Sequence, residues 1–337
     1  MRRSVPFWIF CALAIIPSRR SNVFFPKLDG KLSLRGREKG GGEPWTAIVT
    51  GASTGIGCAA ARDLARRGGK VVWMARNVGA CQEARLAEEM AALPAALPHG
   101  PVLFLDLADR QAIDDAVDNF KKSGKRLDCL ILNAGYHGPK RLTKDGFEMS
   151  MAVNHLGHMY LTYKLLPDLL ACQPSRIVVV ASDLHRFSEP IRLDDLHYEK
   201  MAEVSPWRTY VHSKLANVLF ARHLAKLLQD TQVSVFIVHP GTPVQSELMR
   251  NSGLWYNWAM QRLVMPVVWR VFCRSPADGA QNLVHAAIHP DLAHSHSGAY
   301  FENMVELPVS ANAADDAAAA VLWQKSCSML RIPEHWF

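Results

Sequence analysis

The chemistry easiest to read in this 337-residue chain is a tyrosine and a lysine four residues apart. On a helix that spacing puts both side chains on one face. A phenol with a pKa of about 10 is a poor base at neutral pH; a neighbouring ammonium favours the phenolate and makes it usable. The pattern occurs three times, as Tyr136/Lys140, Tyr160/Lys164 and Tyr210/Lys214, so spacing alone decides nothing. Tyr136/Lys140 spans Gly138-Pro139, which breaks a helix. Tyr160/Lys164 falls deep in a predicted helix over 147–171, well past the strand ends. Tyr210/Lys214 sits near the start of a predicted helix over 206–230. It alone has a hydroxyl partner, Ser182, just beyond the preceding strand.

A second group of residues suits a nucleotide. Thr50-Gly51-Ala52-Ser53-Thr54-Gly55-Ile56-Gly57 follows a β-rich run and opens a helix. Glycine there lets the backbone turn tightly and approach a pyrophosphate seated on free N–H groups at the helix start. The next β-rich run ends Met74-Ala75-Arg76-Asn77, with no acid for a ribose 2′-hydroxyl. Arg76 there accommodates the 2′-phosphate of NADP, which favours NADP(H) over NAD(H), unless Arg76 is a solvated helix cap. Asp106-Leu107 closes the third run, where a carboxylate could accept from an adenine amino group. Asn133-Ala134-Gly135 closes the fourth and is small enough for a ribose to pass close by.

The elements that position these residues follow from the apolar pattern. Strands are predicted at 45–50, 70–75, 101–105, 128–132, 176–181, 233–238 and 298–302, with amphipathic stretches between them. Continuous apolar runs separated by helices indicate a parallel sheet covered on both faces. The fold class is α/β: one Rossmann-type, doubly wound domain, which binds ligands outside the carboxyl ends of its strands.

With these residues in place the chain resembles the short-chain dehydrogenases/reductases. The likeness covers roughly residues 45–305, in the family's own order: Gly51-x-x-x-Gly55-Ile56-Gly57, Asp106, Asn133-Ala134-Gly135, Asn154, Ser182, Tyr210-x-x-x-Lys214 and Pro240-Gly241. The resemblance implies that Tyr210 exchanges the proton of the substrate oxygen and Ser182 holds that oxygen. It implies that Lys214 lowers the Tyr210 pKa and grips the nicotinamide ribose, and that Asn154 supports a water relay to Lys214. Pro240, Gly241 and Thr242 would line the cofactor. Hydride transfer to a carbonyl leaves an alkoxide that needs a donor and a proton, which agrees. Leu142–Gly146, Val153–His158 and Ser182–Phe187 resemble the retinol dehydrogenase branch, and within it the dehydrogenase domain of WW-domain-containing oxidoreductases, here without WW modules. Ala181 stands where the branch usually has a second serine. His239–Ser246 carries one residue more between glycine and hydroxyl than most of the family, so Thr242 and Ser246 are both candidates for cofactor contact.

Charge and composition bound the rest. Residues 1–42 hold nine basic and two acidic residues, the whole net charge of +7, and the body carries 29 of each sign. A nucleic-acid binder would carry its basic stripe on the folded body, so no nucleic-acid partner is expected. The 12 uncharged residues Val5 to Ile16 between arginine pairs are short for a span of about 20 residues. They suit a signal-peptide core or a shallow membrane anchor. Residues 1–42 are thus expected to be a membrane-associating or targeting leader ending in a Gly-rich linker, with the domain over 43–305 and a helical extension over 306–337. The expected location is the endoplasmic reticulum membrane with the domain facing the cytosol; a mitochondrial or secreted protein is the alternative. Seven scattered cysteines without C-x-x-C indicate a reduced body with no disulfide framework or zinc site.

The region 244–275 is expected to close over the substrate. Its Trp- and Val-rich core over 248–272 suits a lipophilic retinoid, steroid or long-chain aldehyde or ketone, but reads equally as a membrane-dipping segment or a core or homodimer helix. His155 and His158 are three apart on a helix with no Cys or acid nearby, so no metal is expected. Two rivals use the same residues: a catalytically idle nucleotide-binding scaffold, and a nucleotide-sugar epimerase, for which little chain remains after residue 240.

Overall fold

The computed structural model describes residues 27–30, 32–34, 43–92, 99–124, 126–201, 203–241, 274–292 and 294–336. Eight strands form one sheet: β1 (Thr46–Thr50), β2 (Lys70–Ala75), β3 (His99–Phe104), β4 (Cys129–Leu132), β5 (Ser175–Val180), β6 (Val233–His239), β7 (Tyr300–Glu302) and β8 (Val305–Leu307). Their order is β3-β2-β1-β4-β5-β6-β7-β8, parallel through β7, with β8 antiparallel to β7. The order reverses between β1 and β4, so the crevice at their carboxyl ends is the topological switch point where ligands bind in such sheets.

Among the described residues six helices pack on the sheet: α1 (Gly55–Arg66), α2 (Val78–Ala92), α3 (Arg110–Ser123), α5 (Pro206–Leu227), α6 (Pro276–Ile288) and α7 (Asp316–Leu330). A seventh, α4, lies between α3 and α5 and is built of three consecutive pieces: Met149–Met151, a π-turn Ala152–Leu156, and Gly157–Ala171. Strand side chains alternate between two cores. Ile48, Val72, Leu130, Ile177 and Val235 pack with α3, α4, α5 and α7. Ala47, Val49, Val71, Ile131, Val178 and Phe236 pack with α1 and α6. Both faces are covered, which is why the strands read as unbroken apolar runs.

The predicted strands match to within one or two residues. β3 begins earlier than expected because Gly100 lies against the Val71 backbone, where an added Cβ would overlap Val71 O. β8 was not expected. Upstream of the linker, Leu28 and Leu34 are buried against the body. Leu34 N donates to Arg67 O at 2.7 Å, and Arg67 Nη1 donates to the carbonyls of Asp29 and Leu32. The rest of the leader and most of 244–275, with Thr242 and Ser246, lie outside the described residues. Among the described residues no helix is long and apolar enough to cross a membrane.

Candidate active site

The glycine loop leaves β1 and turns into α1 through two left-handed glycines, Gly51 at φ 68° and Gly55 at φ 63°. A Cβ on Gly51 would come within 2.8 Å of Ala134 Cα, and one on Gly57 would overlap the Asn133 amide. The glycine loop and the Asn133-Ala134-Gly135 loop therefore touch backbone to backbone. Gly55 has open space where a Cβ would stand, and Thr54, the exposed N-cap of α1, makes no side-chain cap. Ser53 and Ile56 are half-buried beside it. The first N–H groups of α1 thus face an open cradle, the fit a dinucleotide pyrophosphate needs.

Arg76 is exposed just past β2. Burial pushes the Tyr136 phenol up, and the charges of Arg141 and Arg76 act against that rise, so the Arg76 charge is felt at the loop after β4. Asp106 Oδ1 accepts from Ala108 N at 3.0 Å, and Leu107 is buried. Gly157 on α4 lies against Leu107, where an added Cβ would overlap Leu107 O.

The other end of the crevice holds the side chains that the sequence singles out for the reaction. Ser205 caps α5 by accepting from Arg208 N, with Pro206 in the first turn, and the helix then buries both Tyr210 and Lys214 one turn apart. Lys214 Nζ donates to Val180 O at 2.9 Å and lies 5.7 Å from the centre of the Tyr210 ring. Burial pulls the lysine down to about 8 and pushes the Tyr210 phenol above its ordinary value. In the protein alone, desolvation therefore governs Tyr210, and no lowering by Lys214 offsets it. Ser182 sits past β5 and caps the turn Asp183–Phe187, its Oγ accepting from Leu184 N at 3.3 Å.

Asn154, in the π-turn of α4, holds the two ends together. Its Oδ1 accepts from Tyr136 N at 2.6 Å; its Nδ2 donates to Tyr136 O at 3.0 Å and to Ser213 Oγ at 2.8 Å. Ser213 Oγ in turn donates to Tyr210 O at 2.7 Å. The Asn154 side chain is thus a clamp between the loop after β4 and α5. Pro240 is half-buried and Gly241, at φ 91°, is buried under Arg274. Arg274 Nη1 donates to Asn303 Oδ1 at 2.6 Å.

The two rival pairs serve elsewhere. Lys140 Nζ donates to the carbonyls of Tyr198 and Met201. Tyr160 and Lys164 both bind Asp114. Sequence reasoning missed the roles of Thr50 and His158. Thr50 Oγ1 accepts from Asn133 N at 2.9 Å and Ala134 N at 3.0 Å, and lies 2.9 Å from His158 Nε2. His158 Nδ1 lies 3.1 Å from Asn154 O, so this histidine ties β1 to the π-turn. Their positions, at a strand end and four residues after Asn154, were the available signal.

The comparisons agree with this geometry. Residues 45–191 match the family described as short chain dehydrogenase. Retinol dehydrogenase 14 of Mus musculus is 38% identical over 309 residues, 88% of this chain and 90% of its own length. Retinol dehydrogenase 12 of Homo sapiens is 39% identical over 293 residues, 85% of this chain and 86% of its own. A crystal structure of a Mycobacterium paratuberculosis protein superposes with a TM-score of 0.65 at 30% identity, covering 86% of this chain and 94% of that one. The chain belongs to the short-chain dehydrogenase family, in the branch of the retinol dehydrogenases. It is an oxidoreductase acting between an alcohol and a carbonyl, with a nicotinamide cofactor and a small-molecule substrate. The finer likeness to WW-domain-containing oxidoreductases stays a resemblance of motifs.

Proposed function

We propose that the protein is an NADP(H)-dependent oxidoreductase of lipophilic substrates such as a retinoid, a steroid or a long-chain aldehyde. The observation that carries the reading is α5, which buries Tyr210 and Lys214 one turn apart at the sheet end that also holds Ser182 and the glycine cradle. Arg76, exposed past β2 with no acid from Met74 to Asn77, supports NADP(H). The names of the relatives and the apolar stretch 248–272 support a lipophilic substrate. The basic, apolar leader supports attachment to a membrane, that of the endoplasmic reticulum with the domain facing the cytosol.

The nicotinamide, when bound, supplies or accepts the hydride. In reduction the Ser182 hydroxyl donates to the carbonyl oxygen as negative charge grows there, and the Tyr210 hydroxyl gives up its proton to that oxygen. Oxidation runs the two transfers backwards. Lys214 holds its cation beside the phenol, and Asn154 fixes the loop and helix between which the substrate oxygen is placed.

The test is turnover by the full chain in mild detergent, with NADPH and NADH separately, on retinal, a ketosteroid and a long-chain aldehyde. NADPH consumption that Tyr210→Phe abolishes is the expected result. Faster use of NADH overturns the cofactor reading alone. Tight cofactor binding without turnover on a wide panel would favour the idle scaffold.

A further inference from the structure

The turn after the catalytic serine is tied to the chain that follows the sheet. His185 is fully buried, and a ring nitrogen on each side of it has a main-chain partner. Ser310 N donates to His185 Nε2 at 3.2 Å, so that nitrogen carries the lone pair. Nδ1 then carries the hydrogen and donates to Ser182 O at 2.8 Å. Two further bonds run in parallel: Arg186 Nη2 donates to Pro308 O at 2.6 Å, and Asn312 Nδ2 donates to Ser188 O at 2.9 Å. Pro308, Ser310 and Asn312 belong to the segment between β8 and α7, which no part of the oxidoreductase reading uses.

The ring has little freedom to leave. It packs on Tyr300 of β7 with ring centres 5.2 Å apart. Asp183 and Arg186 on its own turn form an ion pair at 2.5 Å, and His239 on β6 accepts from Asp183 N at 3.3 Å. These groups are the charged and titratable neighbours of His185 on the turn, β6 and β7. Only the neutral ring with hydrogen on Nδ1 makes both bonds, so protonation of Nε2 would set two donors against each other.

We propose that His185 is a positioning residue for the reaction: it holds the Ser182 main chain to segment 308–312, and so fixes the hydroxyl that receives the substrate oxygen. The C-terminal extension is then part of the catalytic apparatus rather than outer packing. The proposal rests on the role of Ser182 in the oxidoreductase reading. A hydroxyl displaced by a fraction of an ångström meets the developing charge poorly, while the glycine cradle and the Asn133–Gly135 loop, which hold the cofactor at β1 and β4, are untouched.

Two substitutions break the link from opposite sides. His185→Phe removes both ring bonds, and Ser310→Pro removes the N–H together with an Oγ that makes no hydrogen bond, at a residue whose φ of −67° a proline adopts. Amide hydrogen exchange over 183–188 in the full chain should quicken in both. In the same assays kcat should fall about tenfold, with NADPH affinity unchanged. In a Ser182→Ala background His185→Phe should cost nothing further, because the hydroxyl it positions is gone; a merely structural role would give additive losses. Unchanged exchange in Ser310→Pro overturns the link, whatever turnover does. Quicker exchange with unchanged kcat, or with additive losses, overturns the positioning role while leaving the oxidoreductase reading intact. A wild-type chain that turns over nothing sinks that reading and, with it, the positioning role, and exchange still decides the physical link.

Discussion

Lys214 is a liability to the fold and an asset to the site. Its ammonium is buried with Val180 O as hydrogen-bond partner, and burial pulls its pKa down to about 8. Between pH 8 and about 10.5 the unfolded chain binds a proton the folded chain has released, so stability rises with pH through that window. Below it the folded protein carries the full strain of a buried charge. Lys214→Met should therefore raise stability at pH 7 by about 1–2 kcal/mol, after allowing for the lost hydrogen bond, while abolishing turnover. Urea denaturation beside the activity assay checks both halves, and a destabilised variant would contradict the argument. Tyr210 gives a directional prediction. Burial holds its phenol protonated well past neutrality, which suits a proton donor. Carbonyl reduction should be nearly flat from pH 6 to 8, whereas alcohol oxidation, which needs the phenolate, should climb across the same range. Equal slopes in the two directions would count against Tyr210 as the proton carrier.

At the scale of elements, the site depends on how closely α4 approaches the loop after β3. Gly157 permits that approach, since a Cβ there would overlap the Leu107 carbonyl. Gly157→Ala should push α4 outward, with a loss of about 1–3 kcal/mol in stability and weaker NADPH binding, because Asp106-Leu107 and Asn154 move apart. A thermal melt and a cofactor titration measure the two effects. The need for glycine here was not legible in the sequence, although the helix was. The run 147–171 reads as one helix, but the π-turn Ala152–Leu156 inserts a single residue and leaves no periodic trace. The strands were legible because a sheet buried on both faces demands apolar runs. β8 was not, since Val305 and Glu306 are exposed and three residues carry no pattern. Tyr210, Lys214 and Ser182 were legible as types and spacing. The clamp role of Asn154 depends on Tyr136 and Ser213, which are remote in sequence and meet only when the crevice forms.

At the scale of the molecule, the neutral body hides a set of histidines that should make it sensitive to acid. His155, His158 and His239 are fully buried, and burial lowers each to about 3 from an ordinary 6.5. A histidine kept neutral in the fold binds no proton near pH 6, whereas the unfolded chain does. Stability is therefore lost as pH falls through the ordinary histidine value, and the loss continues down to the folded one. Each group forfeits about 1.2 kcal/mol between pH 7 and 5.5, and the three together about 4 kcal/mol, a large share of a typical domain's 5–15 kcal/mol. Glu148 and Glu302 act in the opposite sense, since burial raises both carboxyls and the fold takes up their protons before the unfolded chain does. His158 and His239 also hold the site: one ties Thr50 to Asn154, and the other receives Asp183 N beside Ser182. Acid should thus disable catalysis in step with unfolding. Burial also lowers His212 and His285 to about 4, so urea midpoints at pH 7.5, 6.5 and 5.5 should fall steeply, with at least four protons taken up on unfolding at the lowest pH. A midpoint constant over that range would show that these rings already share protons in the fold, and would remove the basis for their role as neutral ties.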